Sequence, residues 1–157
     1  MIFLFNLFYQ FGDALSFLLL AAIGLAVIFG MMKIINLAHG EFITIGAYGT
    51  VVSAKILKLP LPLAMSIGVL VTVIFGYILE RIIIRHLYGR PLDSVVATWG
   101  ISLIVSQSFL VIFGPSFEGL KTPFGNFQLG EYSYSYYRLL LIFISILILI
   151  FLYIYQS

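Results

Sequence analysis

The sequence predicts an all-α integral membrane protein with about five transmembrane helices. Of its 157 residues, 62% are hydrophobic and only 9% are charged, whereas a soluble domain carries charge on about a quarter of its residues. The mean hydropathy is +1.17. The apolar stretches are continuous runs of Leu, Ile and Phe. Such runs favour helices, because the strands of a membrane barrel alternate polar and apolar residues.

Five hydrophobic segments can be assigned along the chain. Four contain no charged residue and approach the ~20 residues that a helix needs to cross the hydrocarbon core: residues 14–32, 59–79, 94–114 and 139–156. The other, residues 42–59, carries Lys55 and Lys58 and spans the membrane only if both side chains extend to the interface. Residues 115–138 form a loop long enough to build a small cap.

Three of these helices carry small residues at four-residue spacing, which places them on one helix face and allows close helix packing in lipid. The residues are Ala22, Ala26 and Gly30 in the first helix, Gly68, Thr72 and Gly76 in the third, and Thr98, Ser102 and Ser106 in the fourth. The fifth helix offers only Ser145 between residues 139 and 152. It is therefore predicted to be either the helix most exposed to lipid or one whose packing partner is missing.

Basic residues predict the orientation of the chain in the membrane. Three arginines lie in the 81–90 loop, at positions 81, 85 and 90, and short basic loops remain in the cytoplasm. The N-terminus is then outside, the turn at residues 36–41 lies on the inner side and Ser157 lies inside. Four basic residues fall on the outer side in this arrangement: Lys55, Lys58, Lys121 and Arg138.

Several classes of function are excluded by what the sequence lacks. There is no cysteine, so neither a disulfide nor a thiolate metal site is expected. A net charge of +2 is too small to indicate nucleic-acid binding. No Lys or Arg precedes Lys33, so the first helix is not expected to be a cleaved signal peptide. The sequence contains neither a phosphate-binding glycine loop nor a nucleophile elbow.

Four residues interrupt the apolar sequence between the first two segments: Asn36, His39, Gly40 and Glu41. Polar groups at membrane depth are costly and usually face a protein interior or a watery path. One hypothesis is a structural turn, in which Asn36 caps the second helix and Glu41 supports its N-terminus. Another is a role in a solute path, and the two are compatible because broken helices often line such paths.

An enzymatic role for His39 and Glu41 as an acid–base pair is a third hypothesis, and the spacing argues against it. Residues two apart on a helix do not face each other, and no second histidine stands at metal-ligand spacing. Trp99 and Thr98 offer a similar choice further along. Trp99 is either an interfacial anchor or, with Thr98, part of a pore lining that contacts a small polar solute.

Two blocks of sequence resemble the permeases of branched-chain amino-acid and urea ABC importers. The first reads INLAHGEF and then IGAY, and it matches the family at these positions: Asn36, Leu37, Ala38, His39, Gly40, Glu41, Gly46, Ala47 and Tyr48. The second block, residues 80–114, contains RHLYGRPL and ATWGISL and resembles the urea-type branch more than the branched-chain amino-acid branch.

The resemblance implies a permease subunit of an ABC importer in the plasma (inner) membrane, forming part of the solute pathway for urea or branched-chain amino acids. Such a permease pairs with a second, homologous permease and a periplasmic solute-binding protein. Two cytoplasmic ATPase subunits bind the ATP, so no cofactor is expected in this chain. The implied pathway residues are Asn36, His39, Gly40, Glu41, Tyr48, Thr98 and Trp99.

The chain differs from the permeases of this family in its length. Permeases of the family are about twice as long and carry a cytoplasmic ATPase-docking loop after the helix that corresponds to residues 139–156. The chain therefore resembles an N-terminal half, residues 1–157 forming a single transmembrane domain, and is not expected to perform ATP-driven uptake alone. The alternative is an inert or structural membrane protein.

Overall fold

Five α-helices account for most of the chain in the computed structural model, which describes residues 2–116, 119–120, 123–130 and 132–156. The helices are α1 (Ile2–Met32), α2 (His39–Ile56), α3 (Leu61–Ile82), α4 (Pro91–Phe113) and α5 (Tyr136–Gln156). A short 3-10 helix covers Ile84–Leu87, and strands β1 (Asn126–Leu129) and β2 (Tyr132–Ser135) form an antiparallel hairpin. The positions predicted for Lys121 and Ser157 lie outside the described residues.

The chain divides into two compact units. One contains Met1–Gly24 and Lys121–Ser157, and the other contains Leu25–Leu120. Within the described residues, α1, α3, α4 and α5 are long and apolar enough to cross a membrane. This confirms the predicted all-α membrane fold. The remaining helix, α2, has 18 residues. It corresponds to the predicted segment 42–59, which would span the membrane only if Lys55 and Lys58 extend to the interface.

The first helix is longer than predicted. It begins at Ile2 rather than near residue 14, where Asp13 was taken as the limit of the apolar run. The structure shows why the charge does not end the helix: Arg138 donates to the Asp13 carboxylate across 2.9 Å. An ion pair lowers the cost of placing a carboxylate beside apolar surface. Asn6 and Gln10, one turn apart, also bond to each other at 3.3 Å.

The hairpin confirms that residues 115–138 contain a small cap of their own. Its Tyr134 side chain is almost fully buried and meets Phe5 and Tyr9 of α1 edge-on, with ring centroids 5.2 and 4.8 Å apart. The Tyr9 hydroxyl accepts the N–H of Ser135 at 3.0 Å. Edge-to-face aromatic pairs each add about 0.5–1.5 kcal/mol beyond their buried area, so this cluster fastens the hairpin to α1.

Small residues decide the close packing of α2 on α3. A Cβ at Gly68 would lie 2.5 Å from the carbonyl oxygen of Gly46 and closer still to the Thr50 hydroxyl. A Cβ at Gly49 would lie 3.2 Å from the Gly68 Cα. The small-residue face predicted for the third helix is therefore confirmed as a packing surface. On α1, by contrast, Ala22, Ala26 and Gly30 are exposed, and the packing of another helix on that face stays a prediction.

The 81–90 loop contains the 3-10 helix, and Gly89, two residues before α4, has a left-handed φ of +81°. The Tyr88 hydroxyl donates to the Glu80 carboxylate at 3.1 Å. Partial burial and this carboxylate raise the pKa of Tyr88 above its usual value. Arg90 lies 3.9 Å from Asp93 in an exposed pair that contributes little to stability.

Substituting Gly68 by Ala should destabilise the protein, because the new methyl group meets backbone atoms of α2 that cannot move aside cheaply. Overpacking of this kind costs about 1–3 kcal/mol, and the unfolding temperature in detergent should fall. Gly100→Ala on α4 is the matched control, since a Cβ there meets nothing within 4 Å. Equal unfolding temperatures for the two variants would contradict the packing described.

Candidate functional site

The chain leaves helical conformation between α1 and α2. Lys33 adopts a left-handed φ of 53° and its N–H still bonds the Phe29 carbonyl at 2.8 Å, which ends α1 as a left-handed C-cap does. Residues 33–38 then form a non-helical segment between the two helices, which is called the break below. Alternate residues of the break, Ile34, Asn36 and Ala38, are buried, as expected of an extended chain.

Asn36 stabilises the break from within. Its side-chain oxygen accepts the N–H of Ala38 at 3.0 Å, and its carbonyl accepts the N–H of His39 at 3.3 Å. The residue that caps α2 is Ala38, with no side-chain cap bond. The prediction that Asn36 is the helix cap is therefore wrong, because its side chain closes a turn two residues earlier.

Thr98 on α4 ties the break to a neighbouring helix. Its side chain is fully buried, and its Oγ1 accepts the N–H of Leu37 at 3.1 Å. The same hydroxyl donates to the Ser94 carbonyl at 2.7 Å. In lipid, backbone groups outside helices must find protein partners. Thr98 provides one, and at this position a residue without a hydroxyl would leave the Leu37 N–H unsatisfied.

Glu41 contacts the same face of α4 one turn further on. Its Oε1 accepts the hydroxyls of Ser102 at 2.9 Å and Ser106 at 2.8 Å. Among the residues that the structure describes, no lysine, arginine or histidine forms an ion pair with this carboxylate. Its charge is offset by the two hydroxyls and by the N-terminal end of α2, where negative charge is favoured.

The position of Glu41 along α4 follows from its hydrogen bond with Ser102. Ser102 is the central residue of α4 (Pro91–Phe113), a helix about 34 Å long at 1.5 Å per residue. The carboxylate therefore lies near half-depth of a helix that can span the membrane. Hydrogen bonds to Thr98, Ser102 and Ser106 hold the turn at residues 36–41 against the middle of α4. That this turn lies on the inner side of the membrane stays a prediction.

The rest of α2 runs parallel to the second half of α4. Tyr48 packs against Phe109 and Phe113, with ring centroids 4.4 and 4.8 Å apart, and Phe113 is the last residue of α4. The final turn of α2, with Lys55, therefore extends beyond the end of α4. A helix of only 18 residues thus begins beside the middle of α4 and ends past its last residue.

The other predicted residues lie near these hydrogen bonds, and the His39 N–H donates to the Asn36 carbonyl. His39, the first residue of α2, is half-buried, and Gly40 is exposed. Trp99 is 58% exposed on a different face of α4 from Thr98, so the pair does not form one surface. Glu41 bonds to Ser102 and Ser106 rather than to His39, which argues against an acid–base pair. Their role in a solute path stays a prediction.

An apolar groove lies between α2, α3 and α4 and begins at Ile45, one turn along α2 from Glu41. It has a volume of about 380 Å³ and is lined by residues that include Ile45, Val71, Phe75, Ile104, Val105 and Phe109. A second groove of about 290 Å³ continues past Tyr48 and shares Ile45, Val71 and Phe109 with the first. Ile45 is one helical turn from Glu41, so both lie on the same face of α2.

The sequence predicted a different role for Ser102 and Ser106 from the one that the structure shows. Their spacing with Thr98 predicted a face for helix packing, and that face does contact the break and α2. Their hydroxyls bond a carboxylate, which spacing alone did not indicate. Within the described residues, no three acidic or histidine side chains come close enough to hold a metal ion.

Replacing Thr98 by Val should lower the stability of the break, because the isosteric side chain leaves the buried Leu37 N–H without an acceptor. The expected cost is about 1–3 kcal/mol, measured as a lower unfolding temperature in detergent. Thr98→Ser should largely restore it. Thr44→Val is the control, since the Thr44 hydroxyl bonds only the Gly40 carbonyl of its own helix. A Thr98→Val protein as stable as the control would show that this bond does not hold the break.

Comparison with known proteins agrees with this architecture. Residues 6–157 match the family described as the permease component of branched-chain amino acid transport systems. The chain is also 31% identical over 124 residues to the high-affinity branched-chain amino acid transport system permease protein BraD of Pseudomonas aeruginosa. The match covers 73% of this chain and 40% of that protein. No solved structure matches significantly. The chain belongs to the permease family of branched-chain amino acid transport systems, whose members are transport components rather than enzymes.

Proposed function

We propose that this chain is a permease subunit of an ABC importer and that the break forms part of its solute path. Family membership across residues 6–157 supports the class of protein. The observation that carries the location is Glu41, a carboxylate held near half-depth of a spanning helix by two serine hydroxyls. Ionisable residues inside a membrane span are expensive and commonly mark solute pathways.

A branched-chain amino acid is the proposed solute. The relative BraD is named for that transport, and the groove beside Glu41 is almost wholly apolar. The resemblance of residues 80–114 to the urea-type branch pointed to urea, a preference that the family and the relative do not support. Urea has no apolar group that would occupy such a groove.

The proposed assembly contains this permease, a second homologous permease, two cytoplasmic ATPase subunits and a periplasmic solute-binding protein. The ATP is bound by the ATPase subunits. The proposed orientation places the N-terminus outside and the 81–90 loop in the cytoplasm, because that loop carries three arginines. Its 3-10 helix at Ile84–Leu87 then offers surface to the ATPase side of the importer.

Uptake of labelled leucine and labelled urea tests the proposal, in cells that express the complete importer with a full-length permease that contains residues 1–157. Leucine should accumulate in an ATP-dependent manner, and deletion of the gene for this chain should abolish the accumulation. Uptake of urea alone would change the proposed solute. A deletion that leaves uptake of both solutes unchanged, with the other subunits present in the membrane, would contradict the proposal and favour an inert membrane protein.

A further inference from the structure

We propose that Glu41, Ser102 and Ser106 bind the ammonium group of the transported amino acid while its branched side chain occupies the adjoining groove. This inference rests on the proposed function and deepens it. It assigns one polar contact and one apolar contact to a single solute. Both halves of the site lie in the unit formed by Leu25–Leu120.

The polar half is defined by what surrounds the Glu41 carboxylate. The two serine hydroxyls bond Oε1 at 2.9 and 2.8 Å and fix the position of the side chain. No described residue neutralises the charge by an ion pair. A carboxylate at this depth is stabilised by a cation. An ammonium group supplies the positive charge and N–H donors, and hydrogen bonds between charged partners are stronger than neutral ones.

Access to the polar half comes from the exposed side of the serine pair. Glu41 is only half-buried, and Ser106 is exposed, whereas Thr98 two turns earlier on α4 is fully buried. The hydrogen-bonding side chains of α4 are therefore buried at Thr98 and accessible at Ser106. A solute can approach the carboxylate there without displacing the bond that holds the break.

The apolar half begins one turn from the carboxylate on both helices. On α2, Ile45 follows Glu41 by four residues, and on α4, Val105 and Phe109 lie three residues from Ser102 and Ser106 respectively. These three apolar side chains line the 380 Å³ groove. Ligand sites of this kind combine an apolar cleft of about 300–1,000 Å³ with a few polar groups that fix orientation.

The polar contact can be tested with loaded binding protein held at saturation, so that changes in uptake arise in the membrane part of the importer. Glu41→Gln keeps the shape of the side chain and removes its charge. It should reduce the turnover of leucine uptake about tenfold or more, since hydrogen bonds to charged groups are the stronger ones. Ser102→Ala with Ser106→Ala should reduce it several-fold. Ser66→Ala, whose hydroxyl bonds only its own helix, should leave turnover unchanged.

A direct binding measurement separates recognition from folding. The importer purified without its binding protein should be stabilised against heat by millimolar leucine and by 3-methylbutylamine, which share the ammonium and the branched chain. Urea and 4-methylpentanoate, which lack the ammonium, should give no such shift. Glu41→Gln should remove the shift and keep the unfolding temperature of the ligand-free importer close to that of the unmodified one.

The groove is tested by Val105→Phe, which fills it. Leucine turnover should fall about tenfold, and turnover of alanine, whose methyl group needs less space, should change much less. Equal losses for the two amino acids would overturn the assignment of the groove. Leucine uptake by the unmodified importer together with full activity of Glu41→Gln would overturn the assignment of the polar half and leave the proposed function intact. Absence of leucine uptake in the unmodified importer would instead contradict the proposed function.

Discussion

The structure depends on satisfying backbone hydrogen bonds in a segment that is not helical and yet lies within a membrane span. After Lys33, whose N–H still bonds to α1, the N–H groups of the break cannot follow the helical bonding pattern, and lipid offers no donors or acceptors. Asn36 supplies one acceptor from inside the segment, at 3.0 Å from the Ala38 N–H. Thr98 supplies another from α4, at 3.1 Å from the Leu37 N–H. These bonds allow a chain break where a continuous helix would be the default.

The position of the break determines the length of α2 and the contacts that it makes. A helix that starts near half-depth needs only half of a membrane span before it reaches the surface, so 18 residues suffice and Lys55 lies past the end of α4. Its apolar and small residues then serve protein contacts rather than lipid. Gly46 and Gly49 meet Gly68 of α3 at close range, and Tyr48 packs against the last turns of α4. The early start also presents Glu41 to Ser102 instead of to the surface.

Much of this architecture could be predicted from the sequence, because lipid imposes simple rules. Continuous apolar runs predicted the four spanning helices, and the spacing of Gly68, Thr72 and Gly76 predicted a packing face. The start of α1 could not be predicted, because Asp13 is neutralised by Arg138 far along the chain. The depth of the break could not be predicted either, since it follows from bonds between residues about 60 positions apart in sequence. Polar residues in an apolar run indicated the site, and only the fold showed which hydroxyls they contact.

Cross-linking tests the depth of the break most directly, and the native chain contains no cysteine that would interfere. Cysteines placed at Glu41 and Ser106 should be joined by a short bifunctional thiol reagent in membranes. Cysteines at Glu41 and Asp93 should not, because Asp93 lies in the first turn of α4, roughly 20 Å along the helix axis from Ser106. Cross-linking to position 93 and not to position 106 would place the break at the membrane surface and contradict the account.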